Sequence, residues 1–274
     1  MLQLALACAM ATLGGLPEWT PHDIPEPRWP DASPPWRALE VPDCRARLEA
    51  LGYAPSTLLF SRTSVTRARA FLGLPPRPCH IPQPMTILRA PRGLAFNSQT
   101  FVNCTFAIAL ARLEVVVEEE ARRVFADPPV EADPAGARAL TLLGGGTYNC
   151  RFVRGKKKLS QHAFGNAIDI RGFRLRGLGV VSVLDHWTPR SPSHEPASRF
   201  LRALAQRLRS ERIFSNVLDP DSDASHRDHI HADLAPCVDG LPSDAFRVHG
   251  LPAPLVCPPP DPGPTAPGAA EAPR

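Results

Sequence analysis

Apolar residues recur at helical spacing in three stretches of the chain. Cys44 to Leu51 (CRARLEAL) reads as a short helix closed by Gly52. Thr100 to Phe125 is the longest and predicts a core-packing helix that covers a sheet and does no chemistry. Asp127-Pro128-Pro129 stops it. Ser198 to Leu208 predicts another amphipathic helix. Alternation with a period of two marks the strands. Ala137–Leu143 and Thr147–Val153 are expected to pair across a turn at Gly144-Gly145-Gly146, and Phe164–Leu175 and Leu178–Leu184 across Arg176-Gly177. Within Phe164–Leu175, Ile168 and Ile170 share one face and Ala167 and Asp169 the other. Asp228–Ala235 alternates again, with His229, His231 and Asp233 opposite Ile230, Ala232 and Leu234. His80–Leu88 carries too many prolines for a central strand. Strands and helices mix without a βαβ repeat. The class this predicts is α+β, a small, mainly antiparallel sheet flanked by helices.

Composition divides the chain. Residues 1–16 are apolar and end in small residues, as in a signal peptide, although no basic segment opens them. The run is too short for a bilayer, which needs about 20 apolar residues, and no other segment qualifies. Ala5-Leu6-Ala7-Cys8 offers a lipoprotein anchor at Cys8, ranked below ordinary cleavage. Most of the 33 prolines fall outside the patterned stretches. Residues 17–42 read as a proline-rich linker, 43–250 as the folded domain and 251–274 as a proline-rich disordered tail. The net charge of +4 is scattered, apart from Lys156-Lys157-Lys158, and not interleaved with aromatics. That argues against nucleic acid as a partner and is compatible with an anionic wall polymer. Of seven cysteines, Cys8 lies in the apolar leader. The others, Cys44, Cys79, Cys104, Cys150, Cys237 and Cys257, have no C-x-x-C spacing. They read as disulfides of an exported chain, with the pairing open.

The candidate chemistry lies in two places. Ser160 to Ile170 (SQHAFGNAIDI) carries His162 and Asp169, and Ser225 to Asp233 (SHRDHIHAD) carries His226, His229 and His231. A hydrolytic zinc site takes three ligands from His, Asp or Glu and keeps a fourth position for water, whose pKa falls to about 7. His162, Asp169 and His231 can supply the three, with Gly165 letting the chain bend between the first two. His229 shares a strand face with His231, so one can bind metal while the other faces the water. Each residue also has an ordinary structural use. Histidines hydrogen-bond in cores, and a carboxylate on an edge strand discourages edge-to-edge pairing. The residues alone leave both readings open. His186 and Trp187 are candidates to line a cleft, Trp187 equally a core residue. His22, His80, His194 and His249 carry no signal, and the triple glycine lacks the Gly-Lys-Ser/Thr of a phosphate loop.

Ser160-x-His162-x-x-Gly165-x-Ala167-x-Asp169 resembles the zinc signature of D-Ala-D-Ala carboxypeptidases and Hedgehog-like metallopeptidases. More closely, Gly146–Arg151 (GTYNCR), Leu159–Ile170 with Gly172-Phe173, and Ser225–Asp233 resemble the bacterial extensin-like C-terminal domain family, over Cys44 to Cys237. The resemblance implies a Hedgehog/D-Ala-D-Ala-peptidase-like fold in which His162, Asp169 and His231 bind Zn2+. It also implies a periplasmic or envelope-associated peptidase that hydrolyses stem peptides or cross-links of peptidoglycan. His226-x-x-His229-x-His231 further resembles the penicillin-insensitive murein endopeptidases, whose cluster supplies one ligand and nearby catalytic histidines. Many related carboxypeptidases place Glu three residues before the last ligand, where this chain has the shorter Asp228. Strand alternation turns Asp228 away from the metal face unless the strand begins after it. His229 is therefore the preferred general base and Asp228 the second choice. Arg151, after Tyr148, is implied to stabilise an oxyanion or bind a substrate carboxylate, with a solvent-facing residue as the plain alternative. His226 is a candidate to polarise the carbonyl or bind wall peptide, or, as a loop residue, to do neither. The alternatives are a non-catalytic wall-binding module with a structural or inactive metal site, and a metal-free scaffold.

Overall fold

The computed structural model describes residues 39–54, 58–60, 79–125, 140–154, 158–187, 195–239, 241–251 and 257. The expected signal peptide, most of both proline-rich segments, His22 and His194 lie outside the described residues. In chain order come α1 (Cys44–Ala50), β1 (Leu58–Phe60), β2 (Met85–Arg89), β3 (Ala95–Val102), α2 (Cys104–Val124), β4 (Leu140–Gly146), a 3-10 turn (Gln161–Phe164), β5 (Ala167–Leu175), β6 (Gly179–Ser182), α3 (Val183–His186), α4 (Pro196–Ser210), β7 (Asn216–Leu218), a 3-10 turn (Ala224–His226), β8 (Ile230–Asp233), β9 (Cys237–Val238), β10 (Leu241–Pro242) and α5 (Asp244–Val248). The main sheet runs β1-β2-β3-β4-β5-β8-β7, with β6 also beside β5. Among the described residues only β3 and β4 pair in parallel. This is the α+β architecture with a mainly antiparallel sheet that the pattern implies.

Alternation decides which face is which. Met85 and Ile87 in β2, Thr100 and Val102 in β3, Ile168 and Ile170 in β5, and Ile230 and Ala232 in β8 are buried. They face the helices, where Phe200 of α4 packs edge-on against Phe173 of β5. The residues between them, Thr86, Phe101, Asp169 and His231, turn to the opposite face and are only partly covered. Helix α2 is buried nearly all round, so burial rather than propensity sustains its 21 residues. Strand β5 lies between β4 on one edge and two strands on the other, β8 along Ala167–Ile170 and β6 along Gly172–Leu175. A side chain at Gly172 would overlap the Val181 carbonyl oxygen, so the changeover of partners requires glycine there.

Five expectations are corrected. Thr100–Val102 belong to β3, and the helix begins at Cys104 after its N-cap Asn103, whose side chain accepts from the Phe106 N–H at 2.8 Å. The glycine run is not a turn: β4 continues through Gly146 with two bulges against β5. Thr147–Val153 is not a strand. Its backbone bonds go elsewhere, Asn149 N–H to the His162 carbonyl and Arg151 C=O to the Ser160 N–H, leaving a single bridge at Phe152 and Leu159. Residues of the proline-containing stretch do form an internal strand, because Pro82 and Pro84 precede β2 and cost it no ladder donor. Finally, β8 starts at Ile230, so Asp228 and His229 stand before it. Packing also reaches beyond the expected domain limits. Leu39 and Val41 are buried, Thr105 Oγ1 donates to the Leu39 carbonyl at 2.8 Å, and Leu251 is buried at the other end.

Three disulfides join Cys44 to Cys104, Cys79 to Cys150 and Cys237 to Cys257. They are the mark of a chain that folds in an oxidising compartment outside the cytoplasm. Cys44–Cys104 ties the starts of α1 and α2, and Cys79–Cys150 ties down the irregular segment after β4. Cys237–Cys257 holds the start of the proline-rich tail to β9. Each contributes about 2–4 kcal/mol. Among the described residues no helix is long and apolar enough to cross a membrane.

Candidate metal centre

Asp169 and His231 sit directly opposite each other in the β5–β8 ladder, which puts both side chains on the open face of the sheet within contact of each other. His162 arrives from the 3-10 turn just before β5. Ser160 caps that turn, accepting from the His162 N–H at 3.3 Å. Gly165 ends it with φ 61°, and a Cβ there would press at 3.1 Å on Asn103, Ile81 and Val102 together, so both the left-handed turn and the close packing call for glycine. Two buried asparagines lock the turn in place. Asn103 Nδ2 donates to the Phe164 carbonyl (3.1 Å) and to Asn166 Oδ1 (3.2 Å). Asn166 Nδ2 donates to Gln161 Oε1 (2.9 Å) and to the Leu234 carbonyl (2.5 Å). The N-cap of α2, the His162 turn and the end of β8 thus form one hydrogen-bonded unit.

The result is a triangle of donor atoms. His162 Nε2 lies 3.2 Å from Asp169 Oδ1 and 3.2 Å from His231 Nδ1, and His231 Nδ1 lies 2.9 Å from Asp169 Oδ1. A zinc ion bonded tetrahedrally at about 2.0–2.1 Å holds its donors about 3.3 Å apart, so the set matches zinc in donor type and spacing. The far side of each ring is also engaged. His162 Nδ1–H donates to the Thr147 carbonyl (3.2 Å), leaving Nε2 as the lone pair in the triangle. His231 Nε2–H donates to Asp233 Oδ2 (3.1 Å), leaving Nδ1 there. Asp233 Oδ1 in turn accepts from Asn216 Nδ2 and the Ala235 N–H, each at 2.9 Å. Such outer bonds fix the tautomer and orientation of metal-binding histidines. Among the described residues this is the one group of three such side chains with the spacing for a metal ion.

The electrostatics follow. Burial works to raise the Asp169 carboxyl, but hydrogen bonds from His162 and His231 outweigh it and hold the group well below the usual carboxylate range. Burial works to lower His231, and Asp169 and Asp233 outweigh it, so that its imidazolium is pushed up to about 9. Without metal the triangle is held by a proton. A metal ion must displace it.

His229 and His226 flank the triangle. His229 Nδ1–H donates to Asp228 Oδ1 at 2.8 Å, and its Nε2 stands 3.6 Å from Asp169 Oδ1. Asp228 also lies 3.6 Å from the Arg171 guanidinium, and its carboxyl is held down first by His229. His226 Nδ1–H donates to Asp223 Oδ2 at 2.9 Å, and its ring centroid lies 5.1 Å from that of His229 and 5.8 Å from that of His231. Arg151 lies beside the turn that carries His162, its carbonyl accepting from the Ser160 N–H at 3.0 Å. Its side chain is exposed, with no hydrogen bond or ion pair among the described residues. His186 bonds to the backbone of Ser182. Trp187 is buried beneath Arg202, whose guanidinium stacks 4.7 Å above the ring. His249 is a core residue whose Nε2–H donates to the Ile213 carbonyl at 2.7 Å. Sequence reasoning placed Asp233 on the His231 face without giving it a task, though an acidic residue two positions beyond a ligand on one strand face was the signal. The Thr147 carbonyl left no signal, since a backbone atom of an irregular segment has none to leave.

Fold and site together define an exported α+β protein with a two-histidine, one-carboxylate centre on the open face of its sheet. The family model for the extensin-like protein C-terminus matches residues 60–240, and the chain belongs to that family. No curated protein and no solved structure matches the chain.

Proposed function

We propose that the protein is an exported zinc-dependent peptidase that hydrolyses peptide bonds of peptidoglycan. The observation that carries this reading is the donor triangle, two of whose corners are supplied by rings already oriented from behind by Thr147 and Asp233. His162, Asp169 and His231 are the residues that hold the metal. Zinc in such a set supplies Lewis acidity, lowering the pKa of water and polarising a carbonyl. The chain's own residues do the rest. Asp228 keeps the His229 proton on Nδ1, so Nε2 presents its lone pair toward the centre. There it can take a proton from the attacking water and pass it to the leaving amine, the work of a general base followed by a general acid. Asp228 orients and stabilises the resulting imidazolium rather than acting as the base itself. Asp223 does the same for His226 and leaves the His226 Nε2 as the atom available to the substrate. The substrate class rests on the motifs shared with wall peptidases and on export.

A non-catalytic module with a closed metal site would need a fourth protein ligand. His229 Nε2 lies 3.6 Å from Asp169 Oδ1, but among the described residues the donor atoms that all lie within 4.8 Å of one another are those of His162, Asp169 and His231, without His229. Mass spectrometry of muropeptides after incubation of sacculi with the zinc-supplemented protein tests the proposal. New peptide fragments that disappear with chelator support it. Sacculi that bind the protein and release nothing under any metal supplementation point to the binding module instead.

A further inference from the structure

The parallel ladder of β3 and β4 ends at Phe96 and Leu142, and beyond it, among the described residues, side chains bridge β3 to β4 and to the residue that follows it. At one end Asn97 Oδ1 accepts from the Gly144 N–H at 2.8 Å. At the other, Thr147 Oγ1 both accepts from the Phe101 N–H and donates to the Phe101 carbonyl, each at 2.9 Å, in place of a strand partner. Between these bridges lies an open groove of about 550 Å³ walled by Thr86, Ser98, Phe101 and Tyr148, with Gly144 and Gly146 along β4. That volume suits a ligand of a few residues.

The groove leads into the metal centre. Gly146 is the ladder partner of Asp169, and Thr147 supplies the carbonyl that orients His162. Its described lining carries no charged side chain, whereas the other flank of the centre holds Asp223, Asp228 and Arg171. Phe101 and Tyr148 stand edge to face with centroids 6.1 Å apart, which leaves ring surface along the wall. At Gly144 the backbone is not left-handed, and a Cβ would meet Leu142 at 3.4 Å, Asp169 O at 3.5 Å and Gly146 N at 3.9 Å, ordinary contacts. A Cβ at Gly146 would meet nothing within 4 Å, but its φ of +121° calls for glycine there. The fold therefore does not demand a bare backbone at Gly144. Gly144 stands at a bulge of β4 against β5, one of the places where a strand admits glycine, and its bare backbone leaves the floor of the groove open to a ligand.

We infer that this groove binds the part of the substrate on one side of the cleaved bond, as an uncharged, extended peptide segment with small side chains. The inference rests on the peptidase reading for its substrate class and stands on the groove for its location. Small side chains follow from the glycine floor, extension from the strand edges on either side, and neutrality from the uncharged lining.

The probe is N-acetyl-tri-D-alanine amide titrated into the full chain, with and without chelator, read by amide chemical shifts. N-acetyl-tri-D-glutamate amide is the charged comparator. Shifts centred on Ser98, Phe101, Gly146 and Tyr148, present with chelator and weaker for the glutamate peptide, are expected. Gly144→Leu, which fills the floor, should weaken binding roughly tenfold or more. Its zinc content and melting temperature should match wild type, and Gly144→Ala should fall between. Shifts elsewhere, equal binding of both peptides, undiminished binding by a folded Gly144→Leu, or no binding at all overturn the inference. If Gly144→Leu does not fold, Ser98→Glu on the groove rim replaces it, and unchanged binding then overturns the proposal. Binding in the groove without release of muropeptides would sink the peptidase reading alone. Release that Gly144→Leu leaves unaltered would sink the groove alone.

Discussion

The two halves of the centre are held by different means. His162 and His231 hang from buried scaffolding: the Asn103–Asn166 network, the Thr147 carbonyl, and Asp233 with its own two donors. His226 and His229 stand on the segment before β8, each steadied by one partly exposed aspartate. The first arrangement is built to keep donor atoms at fixed spacing, as a metal requires. The second is the less deeply buried, as the proposed proton transfer to and from a substrate would require. Damage to the buried half should therefore appear in metal binding, and damage to the exposed half in turnover with metal retained.

The largest expected effect breaks that comparison if it fails. His229→Ala should keep zinc and lose muropeptide cleavage by about 10²–10⁴-fold, the usual worth of a general base. Retained cleavage would remove His229 from the mechanism, and lost zinc would place it among the ligands. Next comes pH. In the chelator-treated protein His231 has a folded pKa of about 9, raised above its unfolded value of about 6.5. Its stabilisation is fully present below pH 6.5 and is lost as pH rises through 9, an order of 3 kcal/mol. The melting temperature of metal-free protein should fall over that window, while zinc affinity rises as the proton leaves. A flat profile would mean that the triangle is not held by that proton. Asp233→Asn should weaken zinc binding by about 10–100-fold, since the amide cannot anchor His231 Nε2–H as the carboxylate does. A competition titration against a chromophoric chelator reads this directly, and unaltered affinity would reduce Asp233 to a structural residue. The smallest effect is on stability alone. Gly165→Ala, forced into a left-handed turn against three neighbours, should cost about 1–3 kcal/mol in denaturant unfolding.

Much of this was legible beforehand, for identifiable reasons. Ile168-Asp169-Ile170 and Ile230-His231-Ala232 alternate so regularly that the faces of Asp169 and His231 followed from sequence, and Gly165 was recognisable as a bend. What failed was the reading of sequence neighbours whose partners are distant. Thr100–Val102 are apolar enough to extend a helix, yet alternate inside a strand because β2 lies beside them. Gly144–Gly146 looked like a turn, but β4 needs no side chains where β5 and the groove supply its surroundings. Arg151 carried a role only by resemblance, and its position after the end of β4 leaves it exposed. The disulfide pairing was illegible because it depends on which helix starts and loops the fold brings together.

The central claim is that His162, Asp169 and His231 form a three-donor zinc site. Elemental analysis of the full chain after zinc loading and gel filtration tests it most directly, alongside His162→Ala and His231→Ala. The account predicts about one zinc per wild-type chain and none in either variant. A wild-type chain that retains no zinc, or variants that retain as much as wild type, would contradict it.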